Sequence, residues 1–257
     1  MKTGYHVVYA KDYLQGIDDA RKYGFDFAQF ELGVPAYYLD GLSPAQLNEI
    51  RDHADSHGVE LTFHAPGDNV SLFADYPCVR RGNLEQFKRI LEQANLLRAR
   101  HMTVHAGDTS AFKQSGKQSD DDFLSAHAKY YEDVLYENLL DVIGNAGDVL
   151  ICLENYHLNE VIMRAAQRLI GEKRGLWLTL DVAKPYDYEF YRGNQNAIRE
   201  MHIHDSNPAI GRSHQTVGTG NVDFAFFKQF YGPDVYLSFE VRPVEEAAKS
   251  KMALEAI

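Results

Sequence analysis

A closed (β/α)8 barrel is the fold class this α/β sequence predicts, on three observations. Eight short β-rich runs alternate with helix-period stretches from one end of the chain to the other. The 257 residues suit a single barrel of this kind. Seven of the eight runs end on a carboxylate or an imidazole, as strands do when their C-terminal ends build a common mouth. A doubly wound open sheet is the alternative, and it lacks its Gly-rich phosphate turn, since Ala10-Lys11-Asp12-Tyr13 follows the first run. With no linker, repeat or low-complexity tract, residues 1–257 are expected to form one domain.

Taken in order, residues 5–9 read as the first strand, 17–23 as a short helix and 25–32 as the second strand. Ser43 and Pro44 then open a helix. Ser43 caps its free amides, Pro44 takes a first-turn position whose N–H has no bond to lose, and Gly58 ends it after His57. Residues 60–64 are the third strand, 83–98 its helix and 101–105 the fourth strand. Residues 106–122, rich in Gly, Ser, Lys, Gln and Asp, form the longest stretch without periodicity. Their place after the fourth strand makes them a candidate active-site loop. Helices over 122–143, 159–170, 188–196, 224–231 and 244–254 alternate with strands over 149–154, 176–181, 200–204 and 235–240.

Charge narrows the function. Lys and Arg number 26 against 37 Asp and Glu, a formal charge of −11 that repels nucleic acid and anionic membranes. Cys78 and Cys152 show no Cys-x-x-Cys spacing, so a reducing cytoplasm is expected. No apolar run reaches the roughly 20 residues that span a bilayer. Nor does the start carry a secretory signal, so the mature protein is expected to begin at Met1.

The strand ends carry the chemistry: Glu31, His64, His105, Glu154, Asp181, His204 and Glu240. Singly, each has a plain reading. His64 and His105 suit backbone-bonded strand exits, Asp181 a helix cap, and Glu240 an ion pair with Arg242. Glu154 closes the apolar run Val149-Leu150-Ile151-Cys152-Leu153, where a carboxylate is costly unless paired, hydrogen-bonded or metal-bound. His202 lies on the same strand face as His204 but deeper, and reads as packing or support for the ligand. His53 and His57 are spaced as metal ligands, yet on an outer helix they read as a solvated face, and His6 and His101 carry no comparable argument. Together Glu154, Asp181, His204 and Glu240 make a mixed O/N shell for one divalent metal, Mn2+, Mg2+, Co2+ or Zn2+. A carbonyl substrate chelated there becomes acidic at the adjacent C–H, and flanking carboxylates can remove and return that proton through an enediolate.

These residues resemble the xylose-isomerase-like TIM barrels, a superfamily of sugar and sugar-phosphate isomerases and epimerases and zinc-dependent apurinic endonucleases. The resemblance spans nearly the whole chain. It rests on Phe63-His64-Ala65-Pro66, Val104-His105-Ala106-Gly107, Leu153-Glu154-Asn155, Leu180-Asp181, His202-Ile203-His204-Asp205, His214 before Gly218-Thr219-Gly220, and Phe239-Glu240. It implies a metal-dependent sugar or sugar-phosphate isomerase or epimerase, with Glu154 and Glu240 as proton carriers. It also implies His64 and His105 on the substrate side or holding a second ion. The endonuclease relatives imply the alternative, a zinc-dependent phosphodiesterase with a three-zinc cluster, but Lys184 and Arg212 stand where two ligands of the third zinc would be. Both side chains only donate, so Lys184, Arg212 and Arg242 are expected to hold anionic or hydroxyl groups of the substrate, with Glu31 as a further substrate contact. A ligand-sensing barrel without turnover, and a lyase or dehydratase, share the same proton chemistry. The expected partner is a small sugar, with a homo-oligomer left open.

Overall fold

The structure, a computed structural model, describes residues 1–67, 70–74, 76–107 and 118–257, and the side chains of these apart from 118–125. The candidate loop over 106–122 therefore falls largely outside the described residues. In chain order the elements are β1 (Lys2–Val7), α1 (Tyr13–Lys22), β2 (Phe27–Glu31), α2 (Pro44–His57), β3 (Glu60–His64), α3 (Pro77–Leu96), β4 (His101–Val104) and α4 (Gln118–Gly144). Then come β5 (Leu150–Glu154), α5 (Glu160–Gly171), β6 (Leu176–Asp181), α6 (Tyr188–Gly193), β7 (Ile198–Ile203), β8 (Asp205–Asn207), β9 (Arg212–Gln215), α7 (Phe224–Phe227), β10 (Tyr236–Phe239) and α8 (Val244–Ala256).

Eight parallel strands close into a barrel in the order β1-β10-β7-β6-β5-β4-β3-β2, the (β/α)8 fold that the alternation predicts. Local chemistry sets the helix ends. At α2, Ser43 and Gln46 form a reciprocal capping box, and Gly58, at φ 65°, takes the left-handed closing position. Three helices, α1, α3 and α4, begin earlier than their periodicity suggests. Asp12 caps α1 by accepting from the Gln15 amide, so that helix starts at Tyr13. The first turns of α3 bury nothing before Phe87, so they left no apolar pattern to read.

Outside the barrel wall the core is apolar, with Phe30, Phe63, Leu91, Leu135, Ile162 and Phe239 packed between strands and helices. Inside the barrel it is polar. Gln29 Nε2 donates to Glu200 Oε1 at 2.8 Å, Ser238 Oγ donates to Gln29 Oε1 at 2.7 Å, and the Thr103 and Thr179 hydroxyls lie 2.8 Å apart. These pairs join strands that are not neighbours in the sheet, so they meet across the barrel's interior. The polar residues predicted at strand ends stand directly above this layer.

The hairpin of β8 and β9 was not legible as strand, and it is organised by one carboxylate. Asp205 is buried and accepts four backbone N–H groups, from Ser206 (2.9 Å), Val222 (3.0 Å), Gly218 (2.9 Å) and Gly220 (2.8 Å). Gly220 is required there, because a Cβ would collide with the Asp205 carboxylate and the Ser206 carbonyl. Asp205→Asn turns one acceptor oxygen into a donor that faces donors. It should cost roughly 2–3 kcal/mol, read as a melting point lower by roughly 5–10 °C in calorimetry. An unchanged melting point would show that the loop holds its shape without the carboxylate.

Candidate active site

Two buried carboxylates at the C-terminal end of the barrel, Glu154 from β5 and Glu240 just after β10, are each ringed by imidazoles. Glu154 Oε2 lies 2.9 Å from His105 Nε2, 3.2 Å from His64 Nε2 and 3.6 Å from His202 Nδ1. Glu240 Oε1 lies 3.2 Å from His6 Nδ1 and 3.4 Å from the same His202 nitrogen, while its Oε2 lies 3.5 Å from His214 Nε2 and 3.8 Å from His204 Nε2. His202 thus stands between the two carboxylates. Asp181 approaches His204 Nε2 at 3.2 Å through Oδ1. Asn155, fully buried, fixes the end of β6 beside the end of β5: its Oδ1 accepts the Asp181 amide at 2.7 Å and its Nδ2 donates to the Asp181 carbonyl at 3.0 Å.

Burial alone would push both carboxyls up, but the imidazoles outweigh it. His202 and His105 hold Glu154 well below the usual carboxylate range, and His202, His6 and His214 do the same for Glu240 against the pull of Glu154's charge. Both are therefore ionised at neutral pH. Glu31 follows the same pattern: burial opposes, His64 and His6 prevail with the Gly33 amide, and its pKa falls to about 2. His64 is lowered by burial but raised more by Glu31 and Glu154, to about 9. His6 goes the other way, because its burial outweighs the carboxylates beside it.

The donor set fits a divalent cation. Overlapping groups of three, each with donor atoms within 4.8 Å of one another, are Glu154–Asp181–His202, His204–His214–Glu240, His64–His202–Glu240 and His64–His105–Glu154. No one of these groups contains all of Glu154, Asp181, His204 and Glu240, but the first two together do. The Nδ1 atom of His64 sits 3.0 Å from the carbonyl oxygen of Ala65, whereas His204 Nδ1 accepts the His214 amide at 3.2 Å. An Nδ1–H donated to a carbonyl leaves Nε2 with the lone pair, which is how metal-bound histidines are commonly oriented. Buried nitrogens of His6, His105 and His202 have no hydrogen bond of good geometry. Such atoms are expected where a missing charge or ligand completes the site.

The other predicted residues divide. Glu31 joins the cluster, with its Oε2 3.3 Å from His6 Nε2 and 3.2 Å from His64 Nδ1. Lys184 is half-buried and reaches the site through a stack: its ammonium lies 5.6 Å from the Tyr156 ring centre, and Tyr156 stacks on His105 at 4.1 Å with 5° between the planes. Arg212 stands exposed at the start of β9, outside the cluster. Arg242 does not pair with Glu240; its Nη2 donates to His6 Nδ1 at 3.0 Å. Asp181 both caps, accepting the Ala183 amide at 2.8 Å, and faces His204, so its two readings coexist. His214, in the left-handed region at φ 54°, stacks on His204 at 4.3 Å.

Sequence reasoning missed three residues. His6 was hidden because β1 ends at Val7, two residues before the predicted Tyr9, which makes His6 a mouth residue. His202 was expected only as support, yet it touches both carboxylates. Glu200, fully buried beneath His202, was read only as the start of a strand.

A barrel of this closure with acids and imidazoles at its C-terminal mouth is an enzyme-type scaffold, and comparison with known proteins gives its family. A family model described as the xylose isomerase-like TIM barrel matches residues 17–256, so the chain belongs to that family. The uncharacterized protein MJ1614 of Methanocaldococcus jannaschii is 26% identical over 181 residues, 68% of this chain and 67% of that one. Among solved structures, a D-tagatose 3-epimerase-like protein superposes with a TM-score of 0.74 at 22% identity, covering 100% of this chain and 96% of its own. The D-psicose 3-epimerase of Clostridium cellulolyticum H10, solved with D-tagatose, gives a TM-score of 0.71 at 17% identity with the same coverage. Among the described residues, no helix is long and apolar enough to cross a membrane.

Proposed function

We propose that this chain is a divalent-metal-dependent sugar or sugar-phosphate isomerase or epimerase. The observation that carries the reading is the pair of ionised, buried carboxylates, Glu154 and Glu240, set on either side of His202 beside Asp181 and His204. The likeness to a D-tagatose 3-epimerase-like protein and a D-psicose 3-epimerase supports a ketose as substrate.

A divalent cation held by Glu154, Asp181, His204 and Glu240 would polarise the substrate carbonyl and acidify the C–H beside it. Glu154, buried and ionised, takes that proton, and the substrate passes through an enediolate. Glu240, ionised at rest, first takes a proton from solvent through His214 and gives it to the carbon from its own side, which inverts the carbon, while Glu154 releases the abstracted proton to solvent. His214, 3.5 Å from Glu240 and 29% exposed, links Glu240 to solvent for reloading. Lys184 binds a substrate hydroxyl or phosphate group and Glu31 accepts from a substrate hydroxyl, with His64 and His105 lining the substrate side.

One observation favours a second reading, a zinc-dependent phosphodiesterase: the His64–His105–Glu154 group is a ready second cation site. One experiment separates the two. Protein purified without chelator is analysed for metals, then incubated with ketoses and ketose phosphates in D2O and, separately, with an abasic DNA duplex. Deuterium entering a ketose, with one metal at the barrel mouth and the duplex intact, is the expected result. Two or three zincs with a nicked duplex and no exchange would replace it.

A further inference from the structure

We propose a second metal site outside the barrel, formed by Asp18 of α1 with His53 and His57 of α2, that takes a borderline transition-metal ion such as Zn2+ and ties the two helices together. His53 and His57 lie one turn apart, so their rings share a face of α2, with centres 4.2 Å apart. That face looks at α1 rather than at open solvent. His53 Nε2 is 2.7 Å from Asp18 Oδ1 and His57 Nε2 is 3.6 Å from the same oxygen, and the three donor atoms fall within 4.8 Å of one another. Ligands held at about 2.0–2.1 Å in a tetrahedron stand roughly 3.4 Å apart, so the shorter approach to Asp18 has to open by less than about 1 Å and the longer one is already close to that spacing.

The second observation is how His57 is oriented. Its Nδ1 lies 2.9 Å from the His53 carbonyl oxygen and 3.0 Å from Ser56 Oγ. With Nδ1–H donated to that carbonyl, Nε2 faces the Asp18 carboxylate oxygen, where a proton or a cation bridges the two. The same ring nitrogen on a backbone carbonyl is the usual outer support of a metal-bound histidine. Two imidazoles and one carboxylate select Zn2+, Co2+ or Ni2+ over Mg2+ and Ca2+. The side chains are 57%, 27% and 33% exposed for Asp18, His53 and His57, which gives the ion an entry path and leaves room for water as a fourth ligand. The three residues lie on α1 and α2 and share no side chain with the barrel mouth.

The test is Zn2+ titration of chelator-treated full-length protein at pH 7.5, wild type beside His53→Gln/His57→Gln, with melting point as the second readout. Any ion at the barrel mouth loads in both proteins, so the outer site is the difference between them. The expected result is one more equivalent of Zn2+ in the wild type. Its melting point should also rise by about 5 °C more than the variant's when free Zn2+ is 100-fold above the dissociation constant. Asp18→Asn, which keeps an oxygen facing His53, should weaken the extra equivalent by about tenfold or more. Equal equivalents and equal melting shifts in wild type and double variant would overturn the proposal. So would a full-strength extra equivalent in Asp18→Asn.

Discussion

Glu154→Gln should abolish exchange of the substrate's α-proton with solvent, lowering kcat by about 10^3-fold or more, and weaken Mn2+ binding by about tenfold. Two consequences follow from one atom. Glu154 Oε2 is the point on which His64, His105 and His202 converge, and an amide there neither takes a proton nor balances three imidazoles. The amide oxygen still ligates weakly, so affinity falls less than turnover. Deuterium uptake followed by NMR and Mn2+ titration calorimetry check the two effects separately. Exchange that survives in Glu154→Gln removes Glu154 from the proton path, and Glu240 would then have to serve both faces. Loss of metal affinity with exchange retained at saturating Mn2+ would leave Glu154 as a ligand only.

The outline of this site was legible because strand ends are where a parallel barrel gathers its chemistry. A carboxylate ending Val149-Leu150-Ile151-Cys152-Leu153 is costly unless paired, hydrogen-bonded or metal-bound, and Glu154 is paired with three imidazoles. What stayed hidden was the interior. Strands buried on both faces of a parallel sheet are commonly apolar throughout, but here only the outward positions are, with Tyr5, Phe30, Phe63, Met102, Met201 and Phe239 among them. Period 2 carries the remaining signal. The residues two before the mouth positions are Gly4, Gln29, Thr62, Thr103, Cys152, Thr179, His202 and Ser238, all small or polar. Read with that register, Gly4-Tyr5-His6 joins the set and Glu200 falls inward below His202. The hairpin of β8 and β9 had no apolar alternation to show, since it is held by Asp205 rather than by a buried face. The resemblance points to Lys184 and Arg212 alike, but only Lys184 follows a strand end closely enough to meet the cluster, at Tyr156.

Glu200→Leu should destabilise the fold by about 3–5 kcal/mol, the usual cost of removing one member of a buried ionic group. Its Oε1 accepts from Gln29 at 2.8 Å and faces His101 Nε2 at 3.1 Å; its Oε2 accepts from Thr103 and faces His202 Nε2 at 3.4 Å. Burial would raise this carboxyl, but His101 and His202 hold it well below the ordinary range, so it enters the barrel charged. Leucine fills a similar volume yet takes the carboxylate acceptor from four buried partners, which urea denaturation reads as a lower midpoint at unchanged slope. Glu200→Gln keeps one oxygen and the shape, so its stability cost is smaller, about 1–2 kcal/mol. Its informative effect lies one layer up, because His202 loses the charge that anchors Nε2 while Nδ1 still spans Glu154 and Glu240. If the proposed isomerase activity is found, Glu200→Gln should lower kcat by about 10–100-fold with KM little changed, since Glu200 touches no substrate but fixes the ring between the two proton carriers. Native stability in Glu200→Leu would mean that the imidazoles above and below find other partners. A fall in KM and kcat together would place Glu200 in general packing rather than in the alignment of the two carboxylates.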